Sequence, residues 1–370
     1  MKITFLVRAL NLGGAQTQMV VLAKKLQERG HQIQVIAFYD GVHKKTLLES
    51  NVAVHTLDKR GRWDVIGFLW RLIKLVRHQS PDVLYGYLAT SNLLTSFLRL
   101  FVPQSKAVWG LRVADLKLEY YGWLSRLLCF LEQKLAWTAS LVIANSQAGM
   151  RFAVGQGVPA KKIIAIPNGI DIEKFYPDES ARKRTRAAWK VAANELLIGI
   201  VGRIDPIKEH KVFLSAAARL RQQYPNARFA CVGESVNNQY QEELYALVET
   251  LGLQQSVIWT GAQYDMLGVY NSLDLLTNSS SSEGFSNVIG EAMACGVPCV
   301  VTDVGDSALI VSSAGVVVSV NDPAALVSGW LACLRQQSPE LGAQARQRIC
   351  REFSVSALVD RTEATLMAIG

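Results

Sequence analysis

The sequence predicts an α/β protein built from two doubly wound, Rossmann-like domains in series, and three observations carry that prediction. Short apolar runs alternate with amphipathic helical stretches along most of the chain, the pattern of a parallel sheet covered on both faces. The alternation halts at the turn-forming Pro167-Asn168-Gly169 and restarts at Leu196-Leu197-Ile198-Gly199-Ile200-Val201. The chain has 370 residues, long for a single core, and its 50% hydrophobic content is enough to fill two.

In the first half, Ile3 to Val7 reads as a buried strand, Asn11-Leu12-Gly13-Gly14 as a turn, and Ala15 to Arg29 as a helix with Met19, Leu22, Ala23 and Leu26 on one face. Strand-like runs follow at Gln32 to Phe38, Val52 to His55, Val83 to Tyr85, Ala107 to Trp109, Leu141 to Ala144 and Ile163 to Ile166. This domain is placed at residues 1–168, and the polar, basic, Ala-rich stretch Asp178 to Asn194 reads as an interdomain segment. After the restart come the turn Gly202-Arg203-Ile204-Asp205-Pro206-Ile207-Lys208 and a helix from about Val212 to Tyr224. Strands at Arg228 to Val232, Val257 to Trp259, Asp274 to Leu276, Cys299 to Val301 and Val316 to Val318 complete a second domain over 169–352, and Ala324 to Ile369 reads as helical throughout.

Charge separates the halves. Residues 1–168 carry 22 Lys/Arg against 9 Asp/Glu, whereas residues 169–370 carry 17 against 22, so the whole basic excess is N-terminal. Such a surface attracts nucleic acid, anionic lipid or a phosphorylated acceptor. The stretch Trp63 to Arg77 combines Trp63, Ile66, Leu69, Trp70 and Ile73 with Arg62, Arg71, Lys74 and Arg77, as an interfacial helix does or as a core helix with snorkelling basic chains does. No nucleic-acid module is recognisable. The six cysteines are scattered and read as buried thiols, and the five histidines form no metal-ligand pattern, so no metal is expected. No apolar run is long enough to span a bilayer, and the N-terminus reads as a strand rather than a signal peptide, which predicts a cytoplasmic protein.

The chemistry concentrates in Ser282-Glu283-Gly284-Phe285-Ser286-Asn287-Val288-Ile289-Gly290-Glu291-Ala292-Met293-Ala294-Cys295-Gly296-Val297-Pro298. Glu283 falls at a helix mouth. Glu291 falls inside the helix, roughly 8 to 9 Å further along the axis for about six helical residues, so one extended ligand could have two hydroxyl clusters held at once. A solvated acidic face is the plain alternative, but Ile289, Gly290, Ala292 and Met293 around Glu291 point to a buried helix, where a carboxylate needs a polar partner. Arg203 and Lys208, at the end of a buried strand, are two cations able to neutralise a diphosphate leaving group, unless they belong to a solvated loop with Glu209, His210 and Lys211. Gly13-Gly14 can bring backbone N–H groups against a phosphate, although glycine after a first strand is common. Leu12 to Thr17 is not G-x-G-x-x-G and no P-loop occurs, which argues against simple NAD and P-loop proteins.

Taken together, Gly13-Gly14, Pro167-Asn168-Gly169-Ile170-Asp171, Gly202-Arg203 with Lys208, and the E-G-F-x-N-V-x-x-E-A-M-A-C-G-x-P block in that order resemble the retaining GT-B glycosyltransferases of family 4, over nearly the whole chain. The resemblance implies two domains facing a central cleft, with an acceptor on the first and a nucleotide diphosphate sugar on the second. Arg203 and Lys208 would hold the diphosphate, Glu291 the ribose, and Glu283 with the backbone around Phe285, Ser286 and Asn287 the sugar; Arg203, Lys208 and Glu283 would be the catalytic set. Gly14 would approach the phosphates, Gly13 would lie on the acceptor side, and the tail 353–370 would return to the first domain. Transfer would proceed with retention, the leaving diphosphate helping to deprotonate the incoming hydroxyl, with no protein nucleophile, no metal and no cofactor beyond the co-substrate.

Two departures stand out. Many relatives carry a histidine after the strand that here reads Val108-Trp109-Gly110-Leu111-Arg112, and the glycine usual after E-G-F is Ser286. Three readings of Arg112 stand side by side: a replacement for that histidine, a contact for an acidic acceptor on the acceptor side, or a partner of Asp115. The implied function is sugar transfer to a glycan or lipid-linked acceptor in cell-surface polysaccharide or glycolipid assembly, at the inner face of an anionic membrane and without nucleic acid. A nucleotide-sugar epimerase of the same fold and a non-catalytic nucleotide-sugar-binding protein are the alternatives.

Overall fold

The computed structural model describes residues 1–11, 13–59, 64–112, 122–235, 237–335 and 339–369. The chain divides into two compact units, Met1–Gly169 with Val355–Gly370, and Ile170–Ser354.

The first unit holds a seven-stranded parallel sheet of β1 (Lys2–Ala9), β2 (Gln32–Tyr39), β3 (Ala53–Thr56), β4 (Val83–Tyr87), β5 (Lys106–Leu111), β6 (Leu141–Ala144) and β7 (Ile163–Ala165), ordered β3-β2-β1-β4-β5-β6-β7. Between the strands run α1 (Gly14–Glu28), α2 (His43–Glu49), α3 (Ile66–Gln79), α4 (Ala89–Leu98), α5 (Trp123–Leu135) and α6 (Gln147–Gly155). Alternate residues of each strand point to opposite faces. Ile3, Phe5 and Val7 therefore pack with Met19, Leu22 and Leu26 of α1, while Leu6, Ile36 and Leu84 pack with Phe68, Leu72 and Val76 of α3. The outer face of α3 leaves Ile66 and Trp70 exposed, with the Lys74 ammonium 5.3 Å from the Trp70 ring centre. Arg62 and Trp63 lie outside the described residues.

The second unit opens with α7 (Glu179–Ala188) and builds a six-stranded parallel sheet of β8 (Leu196–Val201), β9 (Ala227–Val232), β10 (Val257–Gly261), β11 (Leu275–Asn278), β12 (Cys299–Thr302) and β13 (Gly315–Val318), ordered β10-β9-β8-β11-β12-β13. Its helices are α8 (His210–Arg221), α9 (Asn238–Thr250), α10 (Met266–Ser272), α11 (Asn287–Ala294), α12 (Ser307–Val311), α13 (Pro323–Arg335) and α14 (Pro339–Glu352). Leu197, Leu276 and Val301 face Ile289, Met293 and Ile349, and Ile198, Leu275 and Val300 face Phe213, Leu214 and Trp330. The last helix, α15 (Val355–Met367), belongs to the first unit, where Leu358, Val359 and Leu366 enter the core.

Two sequence expectations are corrected. The stretch 178–194 is no bare connector: Asp178 caps α7 by accepting from the N–H groups of Ser180 and Ala181, and the helix packs on α10. Its inward face is made by guanidinium groups, Arg182 and Arg186 both bonding Asp274, so the hydrophobic signal of a packed helix is missing. The stretch 324–369 is three helices, interrupted at Phe353-Ser354, where the Ile170 N–H donates to the Phe353 carbonyl at 2.7 Å.

Candidate active site

In the second sheet the strand order reverses between β8 and β11, so the loops after these two neighbours lie side by side, the place where open α/β sheets present ligand sites. The loop after β8 begins at Gly202, and the backbone crowds there: a Cβ on Gly233, itself at φ +141°, would sit 2.0 Å from the Gly202 carbonyl oxygen. A single tight turn, Pro206–Lys208, follows; the Asp205 carboxylate accepts from the Ile207 N–H at 3.0 Å and sets that turn. Glu209 then takes a left-handed conformation, φ 53°, and starts α8.

The loop after β11 is tied to this turn by its own polar run. Ser281 N–H donates to the Ile207 carbonyl at 2.9 Å and Ser279 Oγ to the Lys208 carbonyl at 2.9 Å, while Thr302 Oγ1 holds the Ser280 carbonyl at 2.6 Å. These bonds bring together two groups 75 positions apart: Lys208 Nζ lies 2.5 Å from Glu283 Oε1. The same oxygen accepts from Ser280 Oγ at 2.8 Å and Asn278 Nδ2 at 3.4 Å, and Asn278 Nδ2 also donates to Ser286 Oγ at 2.9 Å. Glu283 is thus a carboxylate fixed by a cation and two neutral donors, most of it withdrawn from water, its side chain 12% exposed.

Ser286 stands at the N-cap of α11 but commits its hydroxyl to Asn278 instead of the helix's first N–H groups. One turn further in, Glu291 accepts from Tyr270 Oη at 2.6 Å, the polar partner its apolar surroundings require. Burial pushes the Glu291 carboxyl up to about 7, the Tyr270 hydrogen bond acting against it. Because α11 starts only at Asn287, Glu291 lies about 6 Å along the axis, less than the sequence spacing suggested. The Phe285 ring is buried and packs 5.6 Å from Phe353, which leaves only its backbone for the loop surface. Arg203 is exposed and makes no hydrogen bond or ion pair among the described residues.

Asn278, Ser280 and Tyr270 escape the sequence reading, although the polar run Asn278 to Ser282 after an apolar strand is a usable signal. His210 is recognised only as part of a charged cluster. The structure buries it completely at the first turn of α8 with neither ring nitrogen bonded, and burial lowers its pKa to about 4, so the ring is neutral.

In the first unit, Gly13 and the exposed Gly14 lead from β1 into α1, and Leu12 lies outside the described residues. Arg112 follows β5; its guanidinium stacks 4.3 Å from the Tyr87 ring centre and donates to Tyr85 Oη at 3.3 Å and Asn168 Oδ1 at 3.4 Å. Asp115 lies outside the described residues. Among the described residues, no three His, Cys, Asp or Glu side chains are placed to share a metal ion, and no helix is long and apolar enough to cross a membrane.

Two parallel-sheet, Rossmann-like α/β units are the make-up of the GT-B fold, and comparison with known proteins gives the family. The model of the glycosyl transferase 4-like domain matches residues 13–169 and that of glycosyl transferases group 1 matches residues 195–336, so the chain belongs to the group 1, or family 4, glycosyltransferases. EpsF of Bacillus subtilis, named as a glycosyltransferase, is 23% identical over 82% of this chain and 79% of its own length. The D-inositol 3-phosphate glycosyltransferase of Corynebacterium jeikeium is 31% identical over 54% of this chain, which spans about half of that relative (49%). Among solved structures, HepE of Anabaena in complex with UDP superposes over 100% of both chains with a TM-score of 0.87 at 24% identity. WaaG, a glycosyltransferase of lipopolysaccharide biosynthesis, superposes over 99% of both chains with a TM-score of 0.72 at 18% identity.

Proposed function

We propose that this glycosyltransferase moves a sugar, with retention, from a nucleotide diphosphate sugar to a glycan or lipid-linked acceptor at the cytoplasmic face of a membrane, in cell-surface polysaccharide or glycolipid assembly. The observation that carries the donor part is the Lys208–Glu283 contact at the strand switch, directly before the N-terminus of α11. Lys208 and Arg203 neutralise the leaving diphosphate, a task that favours fixed positive charge in a water-poor site, and no metal or further cofactor enters the proposal. Without donor, Lys208 is held by Glu283; an arriving diphosphate takes the ammonium and leaves the carboxylate for the sugar hydroxyls. Glu291 takes the ribose, the backbone around Phe285, Ser286 and Asn287 the sugar, and Gly14 the phosphates. Gly13 and Arg112 lie on the acceptor side, Arg112 having a fixed guanidinium without a carboxylate partner among the described residues. The HepE structures with UDP and with UDP-glucose make a uridine nucleotide the first donor to try.

Thermal unfolding with UDP, GDP, ADP, CMP or NAD tests the donor site. Saturation near a hundredfold adds about 2.7 kcal/mol, or about 5 to 11 °C for a unit of this size. One nucleoside diphosphate should act selectively. Arg203→Ala, which removes an exposed group without a partner among the described residues, should keep the free melting temperature and weaken binding about ten- to a hundredfold, as a charge-assisted bond does. A shift with NAD alone, or none at all, rejects the site. The anomeric configuration of the product by NMR tests retention, and donor isomerisation without any acceptor would identify an epimerase instead.

A further inference from the structure

The turn that carries Lys208 is followed by a histidine that the proposed function leaves unused. His210, at the first position of α8, is 0% exposed, and neither Nδ1 nor Nε2 of its neutral ring has a hydrogen-bond partner. A neutral imidazole has one N–H to donate and one nitrogen lone pair to fill, and a ring closed off from water leaves both unmet. Buried polar groups are nearly always bonded, and an exception calls for a reason. Filling space is not that reason, because an apolar ring of the same shape would fill it with no polar atom left over.

Two further features mark the same joint. Glu209, between Lys208 and His210, holds φ 53° and ψ 47°, a left-handed backbone in which a glutamate is uncommon. Asp205, at the other end of the turn, accepts from the Ile207 N–H with Oδ1 and leaves Oδ2 without a partner among the described residues. Beyond burial, the charges that bear on the imidazole are those of Lys208 and Asp205. His210 itself is firmly held: α8 packs into the core through Phe213, Leu214 and Ala217, and the His210 backbone N–H faces the Tyr240 hydroxyl of α9. The turn, by contrast, is drawn towards the loop after β11 by the Lys208–Glu283 contact and by the bonds of Ser279 and Ser281 to its carbonyls.

We propose that His210 is a positioning residue for Lys208: when a diphosphate draws the ammonium away from Glu283, the imidazole N–H donates to Asp205 Oδ2 and fixes the turn with Lys208 set on the phosphates. The bond ties the two ends of the turn, Asp205 and His210, around the ammonium between them. It gives the ring the partner that it lacks in the free chain, and a strained, underbonded resting loop is a recognised way to hold a site ready for its ligand. The inference rests on the reading of Lys208 as a diphosphate ligand, and the measurements below separate the failure of one from the failure of the other.

NMR of the isotope-labelled full chain, titrated with UDP and in parallel with GDP and ADP, reads the bond directly. The imidazole N–H of His210, assigned by its absence in His210→Phe, should move downfield as the binding nucleotide saturates, a change that a ring serving only the free fold would not show. Asp205→Asn should abolish that movement. By titration calorimetry, His210→Phe and Asp205→Asn should each weaken nucleotide binding about tenfold, and the double variant no more than either alone, because both remove one bond. Asp205→Asn keeps an acceptor for Ile207 at a partly exposed position, so the test stands even where the buried His210→Phe folds poorly. The inference is overturned, with the donor site intact, if a nucleotide binds the wild type while the ring signal stays in place, if a folded His210→Phe binds as tightly as wild type, or if the two single losses add in the double variant. If none of the three nucleotides binds the wild type, the donor reading falls and the inference falls with it.

Discussion

Glu291 holds a proton that an exposed glutamate would release. Burial raises its carboxyl from the usual 4.5 to about 7, against the pull of the Tyr270 hydroxyl. Between those two values the folded chain binds the proton and the unfolded chain does not, so stability declines as pH rises through the window and has lost this contribution above about 7. The loss is about 3 kcal/mol at most. Glu291→Gln keeps an acceptor for Tyr270 and cannot ionise; it should flatten this part of the pH dependence and raise stability at pH 8 while weakening donor binding. Urea denaturation of wild type and variant across the range reads the slope directly. Equal slopes would mean that the Glu291 carboxylate keeps its water in the folded chain. A residue placed for ligand at the expense of the free fold is common at binding sites, where stability and function pull apart.

At the level of elements, the second unit depends on a packed ionic joint that its sequence conceals. Asp274 accepts from Arg182 at 2.5 Å, from Arg186 at 3.2 Å and from the Leu197 N–H at 2.7 Å, and so fixes α7 to the start of β8 and β11. Arg186, buried, would be left without its carboxylate in Asp274→Ala. Removing one partner of a buried pair costs about 3 to 5 kcal/mol, which is about 6 to 20 °C in a unit of this size, and calorimetry should find that loss. A drop of only a degree or two would place the joint in water. The same joint shows where sequence reading succeeds and where it stops. Runs such as Leu196 to Val201 and Cys299 to Thr302 announce buried parallel strands because both of their faces are apolar. α7 does not announce itself, since its inward face is arginine and its partner carboxylate lies about ninety positions away. Likewise Glu283, Lys208 and Glu291 are visible as motif residues, but their pairing with each other and with Tyr270 depends on β8 and β11 becoming neighbours, which no local pattern contains.

At the level of the whole molecule, the first unit is built from both ends of the chain. α15 buries Leu358, Val359 and Leu366 against the core that contains Phe5, Val35 and Leu22. Arg29 bonds Asp360 and Glu363, and His31 Nε2 lies 2.7 Å from the other Glu363 oxygen. Gly169, legible in the sequence only as a turn residue, is where α15 comes closest: a Cβ there would be 2.8 Å from Val355 Cα and 3.0 Å from Leu358 Cβ. Gln18 of α1 fixes the same residue, donating to the Gly169 carbonyl and accepting from its N–H, both at 2.9 Å. Cutting the chain after Ser354 should therefore unfold or loosen the unit remote in sequence and spare the unit it adjoins. Three buried aliphatic side chains contribute about 1.5 to 3 kcal/mol each, comparable to the whole stability of a domain. Hydrogen exchange on the truncated chain should show protection lost across α1, β1 and β2 and kept across β8, α8 and β11. Loss confined to α14 and β12 would assign the last helix to the second unit instead. The conservative counterpart, Leu358→Ala in the full chain, should lower protection in the same first-unit elements by about 2 to 5 kcal/mol without touching the second, because a cavity opened in one core is felt by the elements that line it.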